Sequence, residues 1–295
     1  MAKTRLPVQG VFESSYTALL TAELEDRFSQ LGPRRLCNEE LRNINSAPGV
    51  YTLFYKGQPV YVGKADRSLS GRLGKHLRKL KGRTRIDLSK VEFTCLACTP
   101  SEVPLHEKIL IGNRVAKGMA DWNNGGFGSN DPGSTRDKTK FEADHFDSQF
   151  PIDLRIEVEG ITPGTQSVMS LLAQMKENLP YNLRFETTRP VEKRELVDTL
   201  VSLEDHVHCA AELLHIVIAA LPEGWQATAL PGYVIVYREV AEYASAIHVW
   251  TKRESGDVFD LELVPSPSAG EGSVVGKQQA VARRQQDLLQ LPLAM

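Results

Sequence analysis

The sequence of 295 residues has only four cysteines and lacks any long apolar run. Its longest apolar stretch, "LLHIVIAALP", is interrupted by His215 and ends at Pro222, well short of the roughly 18 residues that a membrane-spanning helix needs. The first residues also lack the apolar segment of a signal peptide. We therefore expect a cytoplasmic protein without membrane contact.

Patterns typical of zinc sites are also sparse. Cys95 and Cys98 form one CxxC, but no second pair with similar spacing completes a structural zinc site. We expect a strand with two buried thiols there, and a metal knuckle completed by Cys37 or a histidine is the alternative. The histidines of "HVHCAAELLH", residues 206–215, have metal-like spacing, but we expect them to serve packing.

The charge is unevenly distributed along a chain of ordinary globular composition. Residues 1–150 carry 23 Lys/Arg against 17 Asp/Glu, a net charge of +6. Residues 151–295 carry 12 against 20, a net charge of −8. The densest basic stretch is 64–90, with ten Lys/Arg and two Asp. This asymmetry suggests two modules, of which the basic one faces a polyanion.

The spacing of apolar residues predicts the secondary structure. In the first half we predict helices within 12–45 and over 68–81 and 102–117, and strands over 50–55, 59–63 and 90–98. In the second half, "LLAQMKENLP" and "LLHIVIAALP" each predict a helix followed by a strand, and "GYVIVYRE" and "SAIHVWTK" predict further strands.

The predicted fold class is α+β, with three segments. Residues 12–150 would form a small three-stranded antiparallel sheet flanked by helices, with an N-terminal helical extension. Residues 151–265 would form an acidic α+β domain of unknown role. Residues 266–295 would form a flexible tail with a short helix.

Five motifs stand in order in the first half of the chain. They are "GVY" at 49–51, "YVGK" at 61–64, an R-x3-H pair at Arg72 and His76, then Glu107 and Asn123. Together they resemble the GIY-YIG nuclease superfamily, with Val in place of Ile twice. The R-x3-H helix and "WNNGGFGSNDPG" look most like the restriction-endonuclease branch. The resemblance covers about residues 45–135, under a third of the chain.

The resemblance implies phosphodiester hydrolysis and a set of site residues. The implied catalytic residues are Tyr51, Tyr61, Arg72, His76 and Glu107, supported by Lys64, Gly63 and Asn123. A guanidinium offers a planar fork suited to phosphate oxygens. A lone carboxylate, that of Glu107, indicates one divalent ion per active site, Mg²⁺ or Mn²⁺. No nucleotide cofactor is expected.

The general base has two candidates. A free tyrosine has a pKa of about 10, so Tyr51 could act as a base only if Lys64 or Arg72 stabilised its phenolate. His76 is the alternative, because an ordinary histidine has a pKa of about 6.5. We favour Tyr51 as the residue that holds or deprotonates the water, with Tyr61 and His76 completing the phosphate site. Asn123 would support the site or tether its helix.

The hairpin provides an internal check on this hypothesis. A three-residue loop, "KGQ" at 56–58, would place Tyr51 opposite Gly63 and put both tyrosines on one face of the sheet. A loop with an even number of residues would put them on opposite faces. Gly63 would then leave room for Tyr51 and for an approaching phosphate.

The expected function is that of a sequence-specific, type II-like restriction endonuclease acting on double-stranded DNA. One active site cuts one strand, so we expect a homodimer whose two-fold symmetry matches a palindromic site. The alternatives are a structure-specific nuclease of repair or recombination, and a non-catalytic DNA-binding module. The expected phosphate contacts are Arg67, Lys75, Lys79, Lys81, Arg83 and Arg85.

Overall fold

The computed structural model describes residues 15–116, 121–128, 137–252 and 256–263, and the statements below concern these residues. The predicted tail, 266–295, lies outside them. In the described part of the chain, no helix combines the length and the apolar character needed to span a membrane.

The first half contains a short antiparallel sheet and the helices around it. The strands are β1 (Arg34–Arg35), β2 (Gly49–Tyr55), β3 (Gln58–Ala65) and β4 (Val91–Ala97). The helices are α1 (Ser15–Ser29), α2 (Asn38–Arg42), α3 (Leu69–Lys81), α4 (Val103–Ala116), α5 (Asp121–Asn124) and α6 (Phe146–Gln149).

The second half contains two further sheets. The strands are β5 (Gly164–Ser167), β6 (Asn182–Phe185), β7 (Leu200–Leu203), β8 (Gln226–Leu230), β9 (Tyr233–Tyr237), β10 (His248–Lys252) and β11 (Val258–Glu262). The helices are α7 (Val168–Asn178), α8 (Pro190–Asp198) and α9 (Ala210–Ala220). The predicted α+β class is therefore confirmed.

The first sheet has four strands, so the prediction of three was wrong. Its order is β1-β4-β2-β3, and Arg34 and Arg35 pair with Phe93 and Glu92 at the far edge. A strand of two exposed residues has no apolar period, and the sequence pattern therefore could not reveal it. The opposite edge strand, β3, carries the "YVGK" motif.

Helices cover both faces of this sheet. The leucine stripe of α3 packs on one face with Tyr51 and Tyr61. Val50 and Val62, which alternate with the tyrosines, pack on the other face against α1 and α4. Ser68 caps α3, because its Oγ accepts a hydrogen bond from the backbone N–H of Gly71 at 3.1 Å. Successive side chains of a strand point to opposite faces of the sheet, so both tyrosines lie on the face that α3 covers.

The two cysteines of the CxxC lie in β4 and just beyond it, and they pack in different clusters. Cys95 packs with the tyrosine-bearing core, and Cys98 packs with the core on the opposite side of the sheet. Cys98 Sγ lies 3.3 Å from Nδ1 of His106. The prediction of a strand with two buried thiols therefore holds only in part, because both cysteines are half-buried and Cys98 lies just beyond β4.

The second half forms a mixed five-stranded sheet in the order β11-β10-β8-β9-β6, beside the small β5-β7 pair. β6 and β9 run parallel, and the other neighbours in the larger sheet are antiparallel. Both predicted helices are present as α7 and α9, whose apolar residues form one buried core with Trp225 and Trp250.

Arg83 joins the two halves instead of facing solvent, which corrects its prediction as a DNA-binding residue. Its side chain is 2% exposed and forms a 2.9 Å ion pair with Asp147. One guanidinium nitrogen also donates to the backbone oxygens of Phe150 and Pro231 at 3.1 and 3.0 Å. A group held in this way cannot reach a phosphate without breaking buried contacts.

We predict that Arg83→Met lowers the free energy of unfolding by about 3–5 kcal/mol, because the substitution removes the buried ion pair with Asp147 and two buried hydrogen bonds to backbone oxygens. Chemical denaturation measures the change. Arg85→Met is the matched control, since Arg85 is exposed and its substitution should change stability by about 0.5 kcal/mol or less. Equal stabilities of the two variants would contradict a structural role for Arg83.

Candidate active site

The tyrosines reach one face by a different route from the predicted one. Lys56 and Gly57 alone form the loop, both with positive φ, so the loop has two residues and the three-residue prediction was wrong. A bulge at Val60 then shifts the register, and Tyr51 pairs with Gly63 as predicted. Without the bulge, a two-residue loop would place Tyr51 opposite Val62.

Tyr51 lies at the centre of a buried polar cluster. Its hydroxyl oxygen is 2.6 Å from Nε2 of His76 and 3.4 Å from Nε of Arg72. The direction of the bond to His76 depends on the histidine tautomer; we assign the Tyr51 hydroxyl as the donor, which requires a neutral imidazole with its proton on Nδ1. The Tyr61 ring centroid lies 6.1 Å from that of Tyr51. Four of the five predicted catalytic residues therefore meet beneath α3.

Two glycines make this arrangement possible. A Cβ at Gly63 would lie 2.4 Å from the Tyr51 hydroxyl oxygen, and one at Gly128 would lie 2.2 Å from the Tyr61 hydroxyl oxygen. Neither tyrosine could keep its position beside a methyl group at these distances. The expectation that Gly63 leaves room for Tyr51 therefore agrees with the geometry.

An aromatic residue that the sequence analysis did not single out closes the site. Phe127, in the "GGFG" segment, is 1% exposed and stacks on His76 with ring centroids 4.8 Å apart. Lys79 donates to the Phe127 backbone oxygen at 2.7 Å. Lys79 is thus half-buried and contacts this loop, and its role as a DNA-phosphate contact stays a prediction. Residues 129–136 of the same predicted loop lie outside the described residues.

Glu107 reaches the site from α4, which packs against β3. Its carboxylate is 3.8 Å from Nζ of Lys64, and the same Nζ is 3.4 Å from the carboxylate of Asp66. Burial and the negative charge of Asp66 raise the pKa of Glu107, while Lys64 and Arg72 oppose the rise. Asp66 was missed in the sequence, although it lies two residues after Lys64. A second carboxylate thus borders the site.

Asn123 ties a helix to the open edge of the sheet. Its side-chain oxygen accepts from the Val62 backbone N–H, and its side-chain nitrogen donates to the Val62 backbone oxygen, both at 2.8 Å. The amide thus takes the place of a neighbouring strand at one residue of β3. This position fits the predicted tether, and it orients the segment that leads to Phe127.

Burial alters the acid–base properties of the pair. It raises the pKa of Tyr51, and the nearby Tyr61 adds to the effect, which outweighs Arg72. Burial, followed by the charges of Arg72 and Lys79, lowers the pKa of His76 to about 3. In the free site the Tyr51 phenolate is therefore not favoured, and the pKa of His76 lies well below its ordinary value.

The six residues predicted to contact DNA phosphates divide into two groups. Arg67, Lys75, Lys81 and Arg85 are exposed, as a phosphate-contacting surface requires. Lys79 is half-buried, and Arg83 is buried. A run of basic residues in the sequence does not show which of their side chains are buried, because burial depends on tertiary packing.

No family model matches this chain, and no curated protein matches it either.

We predict that the imidazole of His76 stays neutral between pH 5 and pH 8, because its pKa lies near 3 in the folded protein. An unfolded histidine has a pKa of about 6.5, so the unfolded state binds more protons between about pH 3 and 6.5. Stability from His76 is therefore lost as the pH falls through that range, by at most about 1.4 kcal/mol per pH unit.

Nitrogen-detected NMR of labelled histidine gives the measurement, with the chain's other six histidines as internal references. A His76 signal that titrates with a midpoint above pH 5 would contradict the buried, neutral assignment.

Proposed function

We propose that this chain is a metal-dependent DNA endonuclease that hydrolyses phosphodiester bonds, of the restriction type. The observation that carries the proposal is the hydroxyl–imidazole pair of Tyr51 and His76, with Arg72 on the same hydroxyl and Glu107 nearby. The order of the motifs and their resemblance to GIY-YIG nucleases add support. The geometry suits attack of water on a phosphate.

The two neutral partners offer a route for the proton of the attacking water. The Tyr51 oxygen accepts that proton while the Tyr51 hydroxyl passes its own proton to Nε2 of His76, 2.6 Å away. Tyr51 then needs no phenolate in the resting enzyme. A bound phosphate is an anion beside Arg72, so it offsets a charge that lowers the pKa of His76. Substrate binding would therefore make His76 a better proton acceptor.

Arg72 and Tyr61 would stabilise the charge that develops on the phosphate oxygens. Arg72 is half-buried and remains cationic, so its charge is less screened than that of an exposed arginine. Tyr61 is 6% exposed and lies on the same face of the sheet. Donors fixed in place before the reaction need little reorganisation as charge develops.

The carboxylates fit a hard divalent ion. Oxygen ligands are those that Mg²⁺ and Mn²⁺ prefer. The Glu107 carboxylate has a raised pKa in part because of Asp66, so an added positive charge would relieve a repulsion that Lys64 relieves only partly. We therefore assign the ion to Glu107, with Asp66 as a second oxygen donor. Such an ion supplies Lewis-acid stabilisation of the leaving oxygen.

The DNA would lie across the exposed basic residues Arg67, Lys75, Lys81 and Arg85. Contacts of this kind position a duplex without reading its sequence. Each chain carries one proposed catalytic cluster, so cutting both strands at one site requires two copies, in agreement with the expected homodimer.

We predict that the purified chain with Mg²⁺ cuts plasmid DNA, and that Glu107→Gln lowers the rate by at least about 100-fold, because it weakens ion binding and charge stabilisation. Raising the Mg²⁺ concentration should recover part of the Glu107→Gln rate. Tyr51→Phe should remain slow at every Mg²⁺ concentration, because it breaks the proton route.

Glu177→Gln, an exposed change of the same type on α7, is the control and should cut at the wild-type rate. Sequencing of the product ends separates restriction from other nuclease activity. Ends at one recurring sequence support the restriction type, whereas faster cutting of branched DNA favours a structure-specific nuclease. If wild type, Glu107→Gln and Tyr51→Phe all fail to cut while DNA still binds, the endonuclease proposal is wrong.

We also predict that Lys75→Ala weakens duplex binding and lowers the magnitude of the salt slope, d log K/d log[salt], by about 0.9, the value for one phosphate contact. Fluorescence anisotropy at several salt concentrations measures this slope. Lys193→Ala, an exposed lysine of the acidic half, should leave the slope unchanged. A Lys75→Ala slope equal to that of wild type would place the DNA elsewhere.

A further inference from the structure

Two histidines and a glutamate converge where β7 leads into α9, in the acidic half of the chain. His206 and His208 lie in the connecting segment, and Glu212 lies in the first turn of the helix. One potential ligand atom from each residue lies within 4.8 Å of the other two. From the sequence we expect these histidines to serve packing, because His208 and His215 are seven residues apart on a predicted apolar helix. In the structure the close neighbours of His208 are instead His206 and Glu212.

The three side chains lie close together, but two contacts between them are not hydrogen bonds. Nδ1 of His208 is 3.8 Å from the Glu212 carboxylate, and the rings of His206 and His208 are 3.9 Å apart. The first distance is too long for a hydrogen bond. The Glu212 carboxylate is fixed by the backbone N–H of Cys209, which donates to it at 2.9 Å.

His208 provides the second observation. It is 6% exposed, and its Nε2 has no hydrogen-bond partner among the described residues. A buried polar nitrogen without a partner is costly, so such a group is expected to have a bound partner of another kind. Next to His208 lies a pocket of about 370 Å³, which Glu212, His215 and Asp260 also line. The pocket leaves space for a water or a small anion beside His208 and Glu212.

We propose that His206, His208 and Glu212 bind a zinc ion. Two imidazoles and one carboxylate are a ligand set that zinc accepts with a water in the fourth position. Imidazole nitrogen favours zinc over Mg²⁺, so this site differs in ion preference from the carboxylates of Glu107 and Asp66. The net charge of −8 on residues 151–295 also favours a cation there. The ion would join the segment after β7 to the start of α9.

The test uses the full-length protein after removal of metal with a chelator. Zinc is titrated in competition with a chromophoric chelator, and we expect one ion per chain at this site. His206→Ala should weaken zinc binding at least about tenfold, since even residues that only orient a ligand are worth about 10–100-fold. Glu212→Gln should do the same. Gln still accepts from the Cys209 backbone N–H, so the helix start should be retained.

Asp205→Asn is the matched control, because it removes the same charge as Glu212→Gln from an adjacent exposed position. Its zinc affinity should equal that of wild type. Zinc should also raise the thermal midpoint of wild type and of Asp205→Asn, but not that of His206→Ala. Circular dichroism of each variant checks folding independently of zinc.

Cobalt substitution identifies the ligands by absorbance. Nitrogen and oxygen ligands should give visible bands without the near-ultraviolet charge-transfer band of a cobalt–thiolate bond. A thiolate band would assign the ion to cysteines and overturn the proposal. Absence of zinc binding at micromolar concentrations, or equal affinity of wild type, His206→Ala and Glu212→Gln, would also overturn it.

Discussion

The buried hydrogen bond between Tyr51 and His76 is the contact on which the rest of the candidate site depends. It requires the bulge at Val60, because the two-residue loop alone would turn Tyr61 to the other face of the sheet. It also requires Gly63, since any Cβ there would displace the Tyr51 ring. The bulge shifts the strand register after the two-residue loop, and the glycine provides the space. Both features are needed for the position of the Tyr51 side chain.

The same burial determines the electrostatics. An enclosed hydroxyl and imidazole both stay neutral, while Arg72 remains charged beside them and also acts on the Glu107 carboxylate. An anion is the kind of ligand that Arg72 would attract. A phosphodiester would therefore be bound by the charge that keeps His76 unprotonated, and its arrival would favour proton transfer to His76. Binding and activation of the base would be one electrostatic event.

Local signals predicted much of this structure. The period of two placed the tyrosines in strands, the leucine spacing placed Arg72 and His76 on α3, and both long helices of the second half were found. The features that were missed depend on long-range packing. The bulge leaves no trace in the pattern of apolar and polar residues. Arg83 is buried only because Asp147 and Pro231 lie across from it. Phe127 closes the site only because Asn123 fixes its segment on β3. Sequence periodicity reports which face a residue occupies, but not what covers that face.

The two halves of the chain are joined by backbone contacts rather than by apolar area alone. Arg83 donates to carbonyl groups on both sides of the boundary near residue 150, and Arg78, from α3, donates to the Leu179 backbone oxygen at 2.8 Å. Arg78 lies within α3, the helix that carries Arg72 and His76, and Arg83 lies two residues beyond its end. The acidic half, in which the zinc ion is proposed, is thus in direct contact with α3 and the segment that follows it. Because carbonyl contacts of this kind are directional, they fix the orientation of that helix more tightly than an apolar contact of equal area would.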